Sequence, residues 1–187
     1  PLQSANCGFY SQWSEQLQTQ HAGSPLKNVA FHFTSGDGTQ IQRKGECIVT
    51  RDGMEGSLIY AFSKYLRDAI NQTGHAELRI DLLPEQTSEQ LIRKLQVGQG
   101  KDSFSKYLKR TIGLCGVKKA LLYECADRQQ LRTPQALVAC LKSLPVRFCR
   151  VKPIEEAISS AGGVCESSVN QQLMLKELPG VFCAGEM

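Results

Sequence analysis

One long block of this sequence, residues 87–144, reads as helix after helix, while the chain on both sides of it reads as strand. No other feature constrains the fold as much. Strands on the two flanks must find one another across the helices, because a strand buries its apolar face only within a sheet. The expected class is therefore α+β: a small β-barrel or sheet interrupted by an inserted all-helical subdomain.

The start signals inside the block are clear. Thr87 can cap a helix carrying Leu91, Ile92 and Leu95, with Gln90 placed to complete a capping box. Ser103 can cap a second, with Phe104, Tyr107 and Leu108 toward the core. A third runs over residues 117–125. Thr133-Pro134 opens a fourth, a capping hydroxyl followed by proline at the first helical position. Pro145 closes the block, and residues 146–151 return to strand.

On the N-terminal side, residues 26–33 alternate apolar and other side chains and stop at Ser35-Gly36-Asp37-Gly38, a turn signal. Residues 40–50 read as the return strand of a hairpin. A single helix is then expected to carry Leu58, Phe62, Tyr65, Leu66 and Ala69 on one face and to end at Gly74. Residues 76–83 alternate again. The barrel is thus assigned to residues 25–84 and 145–168, and the helical insert to residues 85–144. Residues 1–24, with a short helix, and residues 169–187 form two edges.

Composition narrows the class. Of the 187 residues, 41% are hydrophobic and 21% charged, ordinary values for a globular chain able to bury a core. No apolar run approaches the roughly 18 residues of a membrane span. The first residues, Pro1-Leu2-Gln3-Ser4-Ala5-Asn6, lack the basic start and apolar stretch of a signal peptide, so a cytoplasmic setting is expected. The eight cysteines include no Cys-x-x-Cys pair, and they read as free thiols. His21, His32 and His75 pair with no cysteine at ligand spacing, so no metal is expected.

Three segments have chemistry in reach. Leu178-Pro179-Gly180-Val181-Phe182-Cys183-Ala184-Gly185-Glu186-Met187 is a turn, a short apolar strand, then Ala-Gly-acid. Gly185 would let the backbone approach a ligand, and Glu186 could accept hydrogen bonds from ribityl or sugar hydroxyls. Spacing alone equally describes a buried strand ending in a turn. In Thr50-Arg51-Asp52-Gly53-Met54-Glu55-Gly56-Ser57, Gly53 and Gly56 precede a helix start, where free N–H groups favour negative charge. An ordinary strand-to-helix turn has the same pattern. Ser159-Ser160-Ala161-Gly162-Gly163 is either a bulge or a stretch of backbone lying beside a ligand.

These segments, with Ala5-Asn6-Cys7-Gly8-Phe9 and Pro25-Leu26-Lys27-Asn28-Val29, resemble the BaiN-like (YhiN-like) flavoproteins, often described as NAD(FAD)-utilizing dehydrogenases, in that family's order. The C-terminal segment is similar to the second FAD fingerprint of two-dinucleotide-domain flavoproteins, with Glu186 where the general pattern has Asp. The resemblance implies an FAD-dependent oxidoreductase in which flavin passes hydride between a nicotinamide cofactor, NAD(P)H, and a small organic substrate. It implies a ribityl contact at Gly185 and Glu186, and a flavin-side wall from Gly53, Gly56, Ala161, Gly162 and Gly163. It names no proton-transfer residue.

The Gly-x-Gly-x-x-Gly unit that holds the FAD pyrophosphate is missing: Gly36-Asp37-Gly38 and Gly98-Gln99-Gly100 lack the third glycine. The expected partner is accordingly an FAD domain of the same parent chain, and this piece alone is expected to bind FAD weakly and to be inactive.

A rival reading is a non-enzymatic barrel and helical module that docks nucleic acid or a protein. Between Arg93 and Lys119 lie eight basic residues and one acid, Asp102. The pattern reads as a solvated face, since Phe104 and Tyr107 give no stacking platform for bases.

Overall fold

The computed structural model describes residues 2–36 and 38–185. Two short strands, β1 (Gln3–Ala5) and β2 (Phe9–Tyr10), lead into helix α1 (Glu15–His21), capped by the Ser14 side chain. A long hairpin follows, β3 (Ser24–Thr34) and β4 (Gln40–Val49). Then come β5 (Gly53–Glu55), helices α2 (Ser57–Tyr60) and α3 (Ser63–Thr73), and β6 (Ala76–Asp81). The helical insert holds α4 (Ser88–Leu95), α5 (Phe104–Ile112), α6 (Gly116–Cys125) and α7 (Pro134–Lys142). After it run β7 (Leu144–Phe148), β8 (Arg150–Val151) and β9 (Ser159–Ala161).

Seven strands form one antiparallel sheet in the order β7-β6-β3-β4-β5-β2-β8. The two ends of that order are consecutive in the chain, with Cys149 alone between them. One extended segment, residues 144–151, therefore pairs with β6 along its first part and with β2 along its second. The Cys149 N–H donates to the Tyr10 carbonyl at 2.9 Å, and the Lys152 N–H donates to the Gly8 carbonyl at 3.0 Å. This one segment thus closes the sheet into a barrel.

Alternation explains the barrel wall. In β6, Ala76, Leu78 and Ile80 are buried while Glu77 and Arg79 face out; in β7, Leu144, Val146 and Phe148 are buried and Arg147 is exposed. The rings of Phe9 and Phe148 meet at 5.6 Å, and Phe31 meets Phe62 edge-on at 5.9 Å. The hairpin carries one bulge. From Leu26 to Val29, β3 advances three residues while β4 advances two, from Cys47 to Gly45. Asn28 absorbs the extra residue at φ 50°, a conformation that asparagine tolerates better than most.

The single helix expected from Leu58 to Gly74 is two helices. The Phe62 N–H bonds to the Ile59 carbonyl, three residues back. The tightened turn between α2 and α3 carries the fully buried Phe62 ring to Phe31. Side-chain burial outweighs one step of the helical ladder here, because burying a phenylalanine contributes about 1.5–3 kcal/mol.

The insert starts its helices as its sequence implies. Thr87 and Gln90 form the full capping box, and the Ser103 and Thr133 hydroxyls accept from the N–H groups of Lys106 and Ala136. It is fastened to the barrel by two lysines. Lys118 Nζ donates to the carbonyls of Asn28 (2.9 Å) and Leu82 (2.7 Å). Lys142 Nζ donates to those of Leu83 and Gln86 and pairs with Asp81. Leu91, Leu108, Leu121 and Leu141 of the insert share one core with Ile80 and Leu82. The α+β class, a barrel with a helical insertion, is what the chain adopts.

Beyond β8 a 3₁₀ turn (Ile154–Glu156) leads to β9, which pairs with β1 in a separate two-stranded ribbon. From residue 165 to 185 the chain is held by single bridges, Val169 to Leu175 and Met174 to Phe182, around a turn organised by the Asn170 side chain. The apolar strand expected near Val181 is not formed, and Val181 and Phe182 are exposed. A strand of that composition needs a sheet beside it, and the described residues place none there.

Candidate functional site

The singled-out segments fall in two neighbouring places. The first is the tightest part of the barrel, where β2, β5 and β8 run side by side. Gly53 is buried in β5 opposite Tyr10. A methyl on it would collide with the Phe9 carbonyl oxygen and lie 2.8 Å from the carbonyl carbon. Its own carbonyl accepts from Thr50 N–H (2.9 Å) and from the Trp13 indole (3.1 Å). Gly56, at φ 102°, caps α2 with its Cα against β4, where a methyl would sit 3.3 Å from the Cys47 Cα. Gly8 is the third close approach: a methyl there would meet the Lys152 side chain at 3.0 Å and the Met54 carbonyl at 3.1 Å. Gly53 and Gly56 therefore have a reason in the sheet itself, whatever lies above it.

The second place is the β1–β9 ribbon. Its register sets Gln3 against Ala161 and Ala5 against Ser159, and Asn6 Nδ2 donates to Ser159 Oγ at 2.8 Å. Ala161 ends β9, and Gly162 and Gly163 follow at φ 99° and 121°, conformations that only glycine adopts readily. Both are exposed, and they line an open depression of about 640 Å³ with Leu2, Ile158, Ser160 and Val164. Gly185 is exposed at φ 91°. Glu186 lies outside the described residues.

Between the two places stands a residue that the sequence pattern did not single out. Lys152 is buried, with its ammonium 3.5 Å from Asp52, 3.7 Å from Glu55 and 3.5 Å from Glu156. Burial pushes its pKa down, but the three carboxylates together outweigh that and raise it above the ordinary lysine value. The ammonium also lies 5.6 Å from the centre of the Tyr10 ring, which the Arg150 guanidinium covers at 4.4 Å. Only Glu156 is at helical spacing from Lys152. The other two partners are about a hundred residues away in sequence, so no periodicity could have found the cluster.

A larger depression, about 730 Å³, opens elsewhere between barrel and insert, beside Ser11, His75, Glu124 and Arg147. Both of its carboxylates are engaged: Glu77 pairs with Arg79, and Glu124 accepts from the Ser14 N–H and hydroxyl at 2.6 Å each, which fixes the start of α1. Of the eight basic residues between Arg93 and Lys119, four are seen engaged with other described residues. Lys106 and Arg110 pair with Asp102, Lys94 donates to Gln86, and Lys118 is bonded to carbonyls. Among the described residues no three His, Cys, Asp or Glu side chains converge to hold a metal, and no helix is long and apolar enough to cross a membrane.

No disulfide joins any of the eight cysteines. Burial, aided by the Glu46 charge, pushes Cys47 up to about 12, and burial does the same to the half-buried Cys125. Well below pH 9 these thiols are protonated in both the folded and unfolded chain and impose no pH dependence. Above it the unfolded chain loses protons that the folded chain keeps, so stability falls as pH rises toward 12. The expected slope is at most about 1.4 kcal/mol per pH unit per thiol. Urea denaturation at pH 8, 9 and 10 reads this out, and Cys47→Ala should flatten the curve. Parallel curves for both proteins would show that Cys47 does not titrate this way.

A closed antiparallel barrel with a helical block inserted between two adjacent strands, β6 and β7, defines a domain class of its own. A protein-family model described as "HI0933-like protein barrel and H2TH domain" matches residues 3–159, most of the chain. The chain belongs to this HI0933-like family, which is associated with FAD-binding flavoproteins. No curated protein matches it.

Proposed function

We propose that the chain is the flavin-covering lobe of an FAD-dependent oxidoreductase of the BaiN-like branch. It would act with an FAD domain of the same parent chain, the β1–β9 ribbon and the segment from Gly53 to Gly56 walling the flavin and shaping the cleft for an organic substrate. One observation carries this reading. Gly162 and Gly163, in a segment the family resemblance picks out, stand exposed at positive φ along an open, largely apolar depression. A surface of backbone and small side chains, flanked by Leu2, Ile158 and Val164, suits a flat ring system with an apolar edge. Gly185 and Glu186 would reach the ribityl chain.

Bound there, flavin would supply the hydride chemistry with NAD(P)H as reductant, and the lobe would supply position and a dry wall. The exposed Leu173, Leu178, Val181 and Phe182 support the reading from another side, as apolar side chains that a neighbouring domain would cover.

The test is the visible absorption of the purified full-length parent, beside the Gly163→Val parent and this chain alone with FAD. The parent should carry flavin, this chain should not retain it, and Gly163→Val should weaken binding by about tenfold or more, some 1.4 kcal/mol. A parent that purifies colourless and takes up no FAD would end the proposal.

A further inference from the structure

We infer that Lys152 is a positioning residue, its ammonium tying β5 and the Asp52 before it to the segment that enters β9 and so fixing the glycine-lined depression against the barrel. The inference rests on reading that depression as the flavin-side wall, and it adds the part that holds the wall in place.

The geometry carries it. Asp52 precedes β5 and Glu55 ends it, whereas Glu156 ends the 3₁₀ turn two residues before Ile158, where the depression begins. Only the Lys152 ammonium bridges the two sides by charge among the described residues. The same residue is pinned through its backbone. Its N–H donates to Gly8, and its carbonyl accepts from Ser4 Oγ at 3.2 Å. The Ser4 carbonyl in turn accepts from the buried Arg67 at 2.9 Å. Lys152 therefore sits where β1, the barrel mouth and the approach to β9 meet. Gly8 keeps the passage open, since any side chain there would meet the lysine stem.

Charge makes the tie specific. Three carboxylates surround one ammonium, so removing it leaves three like charges facing one another at the mouth. They would relax by moving apart, which separates β5 from the ribbon. An arginine would keep the charge on a different head, while a methionine would keep the stem and lose the tie.

Amide hydrogen exchange of this chain is the first measurement. Lys152→Met should raise exchange in residues 53–57 and 158–161 together, by roughly tenfold or more, because local opening becomes easier on both sides of the broken tie. Glu156→Gln should raise it in residues 158–161 alone, and Lys152→Arg should stay near the original. Exchange unchanged on either side in Lys152→Met overturns the inference. Should that variant fail to fold, Glu156→Gln decides, and its failure to loosen residues 158–161 has the same force.

The second measurement is made on the full-length parent, with FAD as the probe. Lys152→Met should weaken flavin binding about tenfold and shift the flavin absorption bands, with Lys152→Arg restoring most of both. Normal flavin binding and bands in a folded Lys152→Met parent would show that the tie does not position the wall. A colourless original parent would sink the flavin reading alone, and hydrogen exchange would still decide the tie.

Discussion

Gly53→Val should cost this chain about 3 kcal/mol or more, the largest effect expected of any single glycine. The cause is the strand spacing between β2 and β5. Opposite Tyr10, the two backbones come so close that an added Cβ has no place to go, with the Phe9 carbonyl and the Tyr10 Cα, 3.0 Å away, against it. Neither neighbour is the end of a flexible side chain, so relief requires moving a strand. Moving β5 also pulls the Gly53 carbonyl from the indole of Trp13, the chain's single tryptophan. Urea denaturation gives the loss, and tryptophan emission should shift toward the red as Trp13, now 7% exposed, meets water. Gly36→Ala is the control. The nearest atom to its Cβ is 4.0 Å away, and the change should stay within about 0.5 kcal/mol. Equal stabilities for the two variants would mean that the close approach is not a constraint.

Phe148→Ala should cost about 3–5 kcal/mol, as expected for emptying a fully buried aromatic site. The position matters as much as the volume. Phe148 pairs with Ala76 at the end of β7, and its ring lies against Phe9, which belongs to the strand across the closure. Losing the ring weakens the contact that holds β8 to β2, so the loss should include opening of that seam. Chemical denaturation of the two proteins measures the total. Hydrogen exchange at Cys149 and Lys152, whose N–H groups complete the seam, should rise well above that of β3. A loss under about 1 kcal/mol would show that the site collapses onto the gap.

The sequence was informative where one period or one cap decides the outcome. Thr87, Ser103 and Thr133 announce their helices because an N-cap needs only a short oxygen-bearing side chain at one place. β6 and β7 alternate because one face meets the core and the other meets water. The break between α2 and α3 was hidden, since Phe62 keeps helical spacing while the backbone gives up a step to bury it. Closure through residues 144–151 was hidden too, because one strand serving two neighbours looks in sequence like any other. At the site, the glycine segments could be marked but their structural duties could not: Gly53 and Gly8 are demanded by strands far away in sequence. Lys152 left no trace, as its meaning lies in three carboxylates gathered by the fold. The stretch near Val181 looked like a strand because its residues favour one, and propensity does not supply the sheet it needs.

The closing strand also sets an order of assembly. During synthesis the ribosome releases β2 early and β8 only after the whole insert, so the barrel must wait, with β2 and β6 holding unpaired edges toward the gap. An open loop the length of the insert would make that late meeting entropically slow. Folded helices shorten it: with α4 to α7 packed and Lys118 and Lys142 anchored to the strand ends, residue 144 emerges already beside β6. In this light the insert acts as an internal scaffold for the strand that follows it.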